Sequence, residues 1–264
     1  MLQAATILTF IISLFIQVGY PLAAILYFRR HTRAPWPLFA YGALIFAVFQ
    51  LFTWLPLSVF LDAIWGESLK TEWGAFAWLM TMALLTALIE ESGRWLGYRY
   101  LFRRGNYRLI WRNGVAYGLG HNALETMWLI AGLTFISFVT YLIMGRMDPL
   151  ALVQQLSPEA GTAEAAMLHE IATVPWVQPL IVAFERILAL PHQVAWALLV
   201  MESLASGQKR WFGFAVLYHT SIAIIVPGLA RLAGFAVAEA VNLAFAAISI
   251  WIIMRLYELS EQRA

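Results

Sequence analysis

The chain contains no cysteine and few charged residues. With no thiol among its 264 residues, disulfides, thiolate metal sites, iron–sulfur clusters and a cysteine nucleophile are all excluded. Charged residues make up 12% of the sequence, against about a quarter in soluble domains, and 62% of the residues are hydrophobic. The net charge is only +2, so no nucleic-acid partner is expected. This composition predicts an integral membrane protein whose surroundings are the lipid bilayer.

Long apolar runs predict an all-α, polytopic bundle of about seven transmembrane helices. The predicted spans are about 2–28, 36–61, 75–102, 111–144, 176–204, 211–229 and 235–256. The first run is too long for a signal-peptide core and no basic residue precedes it, so we expect an uncleaved helix. Pro21 and Pro191 predict kinks. The whole chain, 1–264, is predicted to be a single integral-membrane domain.

Basic residues are distributed unequally between the two ends of the predicted spans. Twelve of the seventeen Lys and Arg residues follow the first, third, fifth and seventh spans, and three lie in the opposite loops. Because basic loops remain in the cytoplasm, the N-terminus is predicted outside and the C-terminus inside. The segment at about 145–175 is then external, and 158–171 within it predicts a short interfacial helix carrying His169. A bacterial cytoplasmic membrane is the expected location.

Three charged residues, Glu90, Glu91 and Arg94, interrupt the third span. A charge near the bilayer centre costs roughly 2.5–3.5 kcal/mol, so such residues face partners or a wet cavity. On a helix, Arg94 lies three and four residues from the two glutamates, and one guanidinium can bridge both carboxylates. The group is either an ion pair that fixes helix packing or part of a functional site.

Three histidines in other spans lie at a similar predicted depth. At about 1.5 Å per residue from the cytoplasmic ends, Glu91 lies roughly 16 Å deep, His121 roughly 15 Å, His192 roughly 18 Å and His219 roughly 12 Å. Independent placement would scatter these residues over about 30 Å of hydrocarbon. The shared depth predicts one site to which four helices contribute, opening toward the cytoplasmic half.

Two further glutamates lie on the same helix faces as two of the histidines. Glu125 follows His121 by one turn, and Glu185 precedes His192 by two turns. A carboxylate bonded to one imidazole nitrogen fixes the tautomer and raises the basicity of the other nitrogen. We expect these glutamates to orient the imidazoles, an arrangement that suits a general base and a metal ligand alike.

These motifs resemble a known family. EESGR at 90–94, GLGHNALE at 118–125, ERILALPH at 185–192 and the later His219 are similar to the YhfC-type intramembrane peptidases. Those are distant relatives of the CAAX-prenyl and bacteriocin-processing proteases and of the PrsW-type enzymes. The resemblance covers about residues 5–256. It implies hydrolysis of a peptide bond inside the membrane. An apolar cavity at mid-depth suggests that the substrate is a membrane-embedded or lipidated protein.

The resemblance also implies roles for the polar residues. Glu90 and His121 would activate a water beside Glu91 and Arg94, and His192 or His219 would stabilise the tetrahedral oxyanion. The wider protease group is expected to show, as its third motif, a histidine followed four residues later by Asn or Asp. This chain departs from that pattern, because Trp196 and Ala223 stand four residues after His192 and His219.

The same side chains admit a zinc-dependent interpretation. His121, His192, His219 and Glu90 would form a set of three imidazoles and one carboxylate, which zinc accepts. No HExxH sequence accompanies them. We therefore favour a glutamic protease without a cofactor and keep a zinc metalloprotease as the alternative.

Two functions from other classes also use buried glutamates and histidines. A proton-coupled transporter builds relays from them, although the sequence shows none of the paired halves common in transporters. A haem-binding membrane protein would use two of the histidines as axial ligands. Proton flux in proteoliposomes and the colour of the purified protein separate these functions from a protease. The sequence does not indicate an oligomeric state.

Overall fold

A computed structural model describes residues 2–66, 71–146 and 174–262. Within these ranges the chain is helical, without a strand, and seven helices are long and apolar enough to cross a membrane. The predicted all-α class and the count of seven spans are confirmed. The predicted interfacial helix at 158–171, with His169, lies outside the described residues.

We number the membrane-length helices in chain order. They are α1 (Ala4–Thr32), α2 (Trp36–Trp65), α3 (Trp73–Phe102), α4 (Trp111–Met144), α5 (Gln178–Ala205), α6 (Arg210–Ala233) and α7 (Phe235–Glu261). Several helices continue four or five residues past the predicted spans, because backbone hydrogen bonding does not stop where the apolar run ends. Pro21 and Pro191 both lie inside continuous helices.

Three of these helices contain stretches of wide π-helical turns. They occupy Ala47–Trp54 in α2, Gly97–Phe102 in α3 and Glu125–Ile130 in α4. Such turns occur often near functional sites because they change which residues face a neighbouring helix. The stretches in α3 and α4 begin a few residues after Arg94 and His121, respectively.

The chain divides into two compact units, and the first comprises Met1–Leu22 and Thr126–Ile187. In this unit the first part of α1 packs against α4 through Phe10, whose ring lies 5.1 Å from that of Phe138. The Gln3 backbone N–H donates to Tyr141 Oη at 2.8 Å. These contacts are mainly apolar and aromatic, as expected for a helix-packing region.

The second unit comprises Ala23–Glu125 and Leu188–Ala264, and α4 packs there between α2 and α5. A Cβ atom added at Gly120 would lie 1.9 Å from the carbonyl oxygen of Phe39, and one at Gly118 would lie 2.9 Å from Val194 Cα. The absence of side chains at these two glycines therefore allows α2 and α5 to approach α4 closely. This close packing positions His121, the residue after Gly120, inside the unit.

Candidate active site

The three charges of α3 form a buried ion-pair group in the second unit. Arg94 donates from Nη1 to Glu91 Oε1 and from Nη2 to Glu90 Oε1. Arg94 and Glu91 have no exposed surface, and Glu90 retains 4%. The predicted bridge of one guanidinium to both carboxylates is confirmed. The pairing leaves one net negative charge in an apolar surrounding when the nearby histidines are neutral.

His121 joins this group from α4. Its Nε2 lies 3.0 Å from Glu90 Oε1 and 3.0 Å from Arg94 Nη2. An ionised carboxylate can only accept and a guanidinium can only donate, so the imidazole tautomer decides which contact is a hydrogen bond. Among the described residues nothing bonds to Nδ1, which is buried. Among the described residues, the hydrogen-bonding contacts that select the tautomer of His121 are those with Glu90 and Arg94.

Among the described residues no hydrogen bond joins His121 Nδ1 to Glu125, and the orienting role of Glu125 stays a prediction. Glu125 Oε2 accepts from Gln193 Nε2 at 2.5 Å, while Gln193 Oε1 accepts from Arg94 Nη2. Gln193 thus links Arg94 to Glu125, a role that no sequence motif predicts for it. The only sequence signal for Gln193 is its place directly after the ERILALPH motif at 185–192, which the resemblance selects.

His219 reaches the other carboxylate from α6. Its Nδ1 lies 2.8 Å from Glu91 Oε1, and its ring stacks on Trp196 of α5 with centroids 3.9 Å apart and an interplanar angle of 8°. The Arg94 guanidinium lies 5.7 Å from the same indole. We call Glu90, Glu91, Arg94, His121 and His219 the charged cluster. The shared depth predicted for Glu91, His121 and His219 agrees with these contacts.

His192 belongs to a different arrangement, which we call the His192 network. Its Nδ1 lies 2.8 Å from Ser249 Oγ, and its Nε2 lies 3.2 Å from Asn242 Oδ1. Tyr218 Oη lies 2.9 Å from Ser249 Oγ and donates to the Phe245 carbonyl at 2.6 Å. The network consists of His192, Tyr218, Asn242 and Ser249. Both ring nitrogens of His192 therefore already have partners on α7.

The second residue predicted to orient an imidazole, Glu185, lies in the first unit, whereas His192 lies in the second. Its role in orienting His192 stays a prediction. The observed partners of His192 are instead neutral hydroxyl and amide groups. Such groups carry no charge or periodic pattern by which a sequence would reveal them.

The two glutamates of the charged cluster differ in what their second oxygens can reach. In the described part of the chain, the hydrogen bonds of Glu90 all use Oε1, which leaves Oε2 for another molecule. Glu91 Oε2 is buried without a partner among the same residues. A carboxylate held at one oxygen and open at the other is arranged to accept a proton from a bound water.

One group of side chains in the described ranges has the spacing of a metal site. Glu90, Glu91 and His219 offer ligand atoms that lie within 4.8 Å of one another, and all three are buried. This group shares Glu90 and His219 with the predicted zinc set and adds Glu91. It does not include His192, because both nitrogens of that ring face Asn242 and Ser249.

Comparisons with known proteins agree with the predicted class. A membrane protein named YhfC, from Bacillus subtilis strain 168, is 27% identical over 203 residues, which is 75% of each chain. No solved structure matches the chain. The family model described as YhfC intramembrane metalloprotease matches residues 12–244. That description supports a protease function, and with seven membrane-length helices the chain is an integral membrane protein. The chain belongs to the YhfC family of intramembrane metalloproteases.

Proposed function

We propose that this protein is an endopeptidase that hydrolyses a peptide bond of a membrane-embedded or lipidated protein, with Glu90 as the general base. The observation that carries the proposal is the difference between the two glutamates. Glu90 retains 4% exposure and has Oε2 open, whereas Glu91 retains none. Of the two carboxylates, Glu90 is thus the one that a water can reach.

In the proposed reaction a water bound at Glu90 Oε2 attacks the scissile carbonyl carbon. Its proton passes to Glu90 as the new C–O bond forms and the carbonyl oxygen becomes an oxyanion. Collapse of this tetrahedral species breaks the C–N bond, and the proton on Glu90 passes to the leaving amine. His121 Nε2 lies 3.0 Å from Glu90 Oε1. While Glu90 is ionised, His121 can donate a hydrogen bond to that oxygen and so hold the base in position.

Glu91 and Arg94 have a supporting role in this proposal. The guanidinium bonds to both carboxylates and to Gln193, and this holds Glu90 Oε1 in one position. Glu91 accepts from Arg94 and from His219 at Oε1. A preorganised carboxylate loses little conformational entropy when the reaction starts, which is how positioning groups contribute to rate.

A zinc-dependent form of the same activity is the second candidate, favoured by the family description and by Glu91 Oε2, which has no bonding partner in the described ranges. Glu90, Glu91 and His219 fit zinc in donor type and spacing, and they would hold it. A bound zinc ion would act as a Lewis acid toward the scissile carbonyl. We favour the glutamate form because Arg94 Nη2 already places a cation between Glu90, His121 and Gln193.

The bilayer constrains the substrate of such a site. A transmembrane helix satisfies its own backbone groups, so a peptide bond becomes accessible to water only where the helix unwinds. We therefore propose a substrate segment that is lipidated or locally unwound, in the bacterial cytoplasmic membrane with the C-terminus of the protease inside.

A reporter fused after Arg104 should read cytoplasmic and one inserted near Glu159 external; the opposite pair of results would reverse the orientation.

The activity is tested by comparing the membrane proteomes of cells that express wild type or Glu90→Gln. A membrane protein that accumulates uncut only in the Glu90→Gln cells would identify both the activity and a substrate. Glu258→Gln is the matched control, because that carboxylate is 55% exposed and pairs only with Arg255 in the described part of the chain. Equal proteomes of all three strains would overturn the proposed function.

A further inference from the structure

The proposed reaction needs a hydrogen-bond donor for the oxyanion, and neither predicted histidine supplies one as a neutral ring. Both nitrogens of His192 face Ser249 and Asn242. The Nδ1 of His219 faces Glu91 Oε1, so the hydrogen of a neutral His219 lies on Nδ1. Its Nε2 then has no hydrogen to donate.

Trp196 carries a donor of the required kind beside the charged cluster. Its indole Nε1–H is buried and has no hydrogen-bond partner in the part of the chain that the structure describes. The residue as a whole is 6% exposed. A buried donor without a partner costs about 1–3 kcal/mol, and most such groups in native proteins have a partner or a functional reason.

The indole is also held in a fixed orientation. It stacks on His219 at 3.9 Å and lies 5.9 Å from the His192 ring at an interplanar angle of 22°. The Arg94 guanidinium lies 5.7 Å from the ring. Since His219 bonds to Glu91 and Arg94 bonds to Glu90, the ring contacts groups that bond to both glutamates.

We propose that Trp196 is a catalytic residue whose Nε1–H donates a hydrogen bond to the substrate carbonyl oxygen and to the oxyanion that forms from it. This role rests on the proposed function. The observation that carries this role is the buried Nε1–H, which has no partner among the described residues and lies on a ring stacked against His219. A fixed donor in a water-poor site stabilises developing charge without reorganisation.

The test is the turnover of Trp196→Phe on the membrane protein that accumulates in Glu90→Gln cells. Phenylalanine keeps an aromatic ring against His219 but has no N–H. Loss of one oxyanion donor typically lowers kcat about 10²–10³-fold, so we expect a loss of that order with KM nearly unchanged. Wild-type kcat in Trp196→Phe would overturn the proposal.

Two further variants separate the hydrogen bond from packing. Trp196→His restores an aromatic N–H and should recover part of the kcat lost in Trp196→Phe; equal kcat in the two variants would assign the effect to the ring and overturn the proposal. Trp54→Phe is the matched control for shortening a buried tryptophan, since Trp54 is 5% exposed and lies outside the cluster. It should keep wild-type kcat.

The proposed function can fail separately from this inference. If Glu90→Gln cleaves as fast as wild type, the general base is wrong, whatever Trp196 does. If Glu90→Gln is inactive and Trp196→Phe is fully active, the base stands and the indole donor is wrong.

Discussion

The charged cluster and the His192 network lie in the same unit, and all of their side chains are buried except the half-buried Tyr218, but their hydrogen bonding differs. In the charged cluster, Glu91 Oε2, Arg94 Nε and His121 Nδ1 are buried without partners among the described residues. In the same ranges no buried side-chain atom of His192, Tyr218, Asn242 or Ser249 lacks a partner. Among the described residues, the charged cluster thus has buried polar atoms without hydrogen-bond partners, and the His192 network has none.

This difference indicates that the charged cluster is the candidate active site and that the His192 network has a structural role in helix packing. A fully bonded buried network rigidifies the helices that it joins, and its members gain nothing from a further ligand. Unpartnered buried groups cost stability, and they persist where a substrate, water or ion completes them. We therefore expect substitutions in the charged cluster to reduce activity most, and substitutions in the His192 network to reduce stability with little direct effect on chemistry.

The largest effect is expected for Glu90→Gln. Glutamine keeps the size of the side chain and an acceptor toward Arg94 but cannot accept a proton. Turnover should fall by about 10²–10⁴-fold, the usual contribution of general acid–base catalysis, with near-normal thermal stability. Turnover on the substrate found by proteomics measures the first quantity, and melting in detergent measures the second.

Asn242→Ala serves as the comparison variant for that experiment. It removes a partner of His192 Nε2 without touching the charged cluster. If Asn242→Ala lowers turnover as much as Glu90→Gln does, the assignment of the charged cluster to chemistry and of the His192 network to helix packing is wrong. Glu91→Gln should lower turnover less than Glu90→Gln, because Glu91 has no exposed surface.

The second prediction concerns the stability of the charged cluster. Arg94→Leu would leave two buried carboxylates without their shared cation, and breaking a buried pair in this way costs about 3–5 kcal/mol. The melting temperature and the yield of folded protein should fall together with activity. Arg255→Leu is the matched control, since its pair with Glu258 is more than half exposed and contributes little. Normal melting of Arg94→Leu would contradict the proposed role of the guanidinium.

The third prediction concerns the His192 network. Ser249→Ala removes the partner of His192 Nδ1, and an unsatisfied buried nitrogen should cost about 1–3 kcal/mol of stability. Turnover of the remaining folded protein should stay close to that of wild type. Ser221→Ala is the control, because among the described residues that hydroxyl donates only to the Leu217 carbonyl of its own helix. A large loss of turnover at unchanged stability would place Ser249 in the chemistry.

The sequence predicted the parts of this site that depend on spacing along one helix or on depth. The bridge from Arg94 to both glutamates follows from separations of three and four residues. The meeting of His121 and His219 with the glutamates follows from their distance along each span. Charged residues in an apolar run are easy to identify in a sequence. Because they are few, each of them has few possible partners.

The rotation of α5 about its own axis could not be predicted in the same way. His192 and Gln193 are adjacent, so they point about 100° apart on a helix, and only one of them can face Arg94. An amphipathic pattern would decide between them, but the most apolar stretch of α5 is 72% buried and gives no polar face. Gln193, rather than His192, bonds to Arg94.

The last prediction is that removing metal ions changes neither the turnover that depends on the charged cluster nor the stability that depends on the His192 network. If Arg94 supplies the cation beside Glu90 and Glu91, protein washed with a chelator should retain its turnover, and elemental analysis of active protein should find no stoichiometric zinc. The family description makes this the sharpest test of the glutamate mechanism. Zinc that is lost together with activity and restores it on addition would refute that mechanism. Glu91→Gln would then lose zinc and activity together, because Glu91 belongs to the ligand group with Glu90 and His219. Asn242→Ala would keep both, and the contrast between the two groups would remain with a metal in place of a proton acceptor.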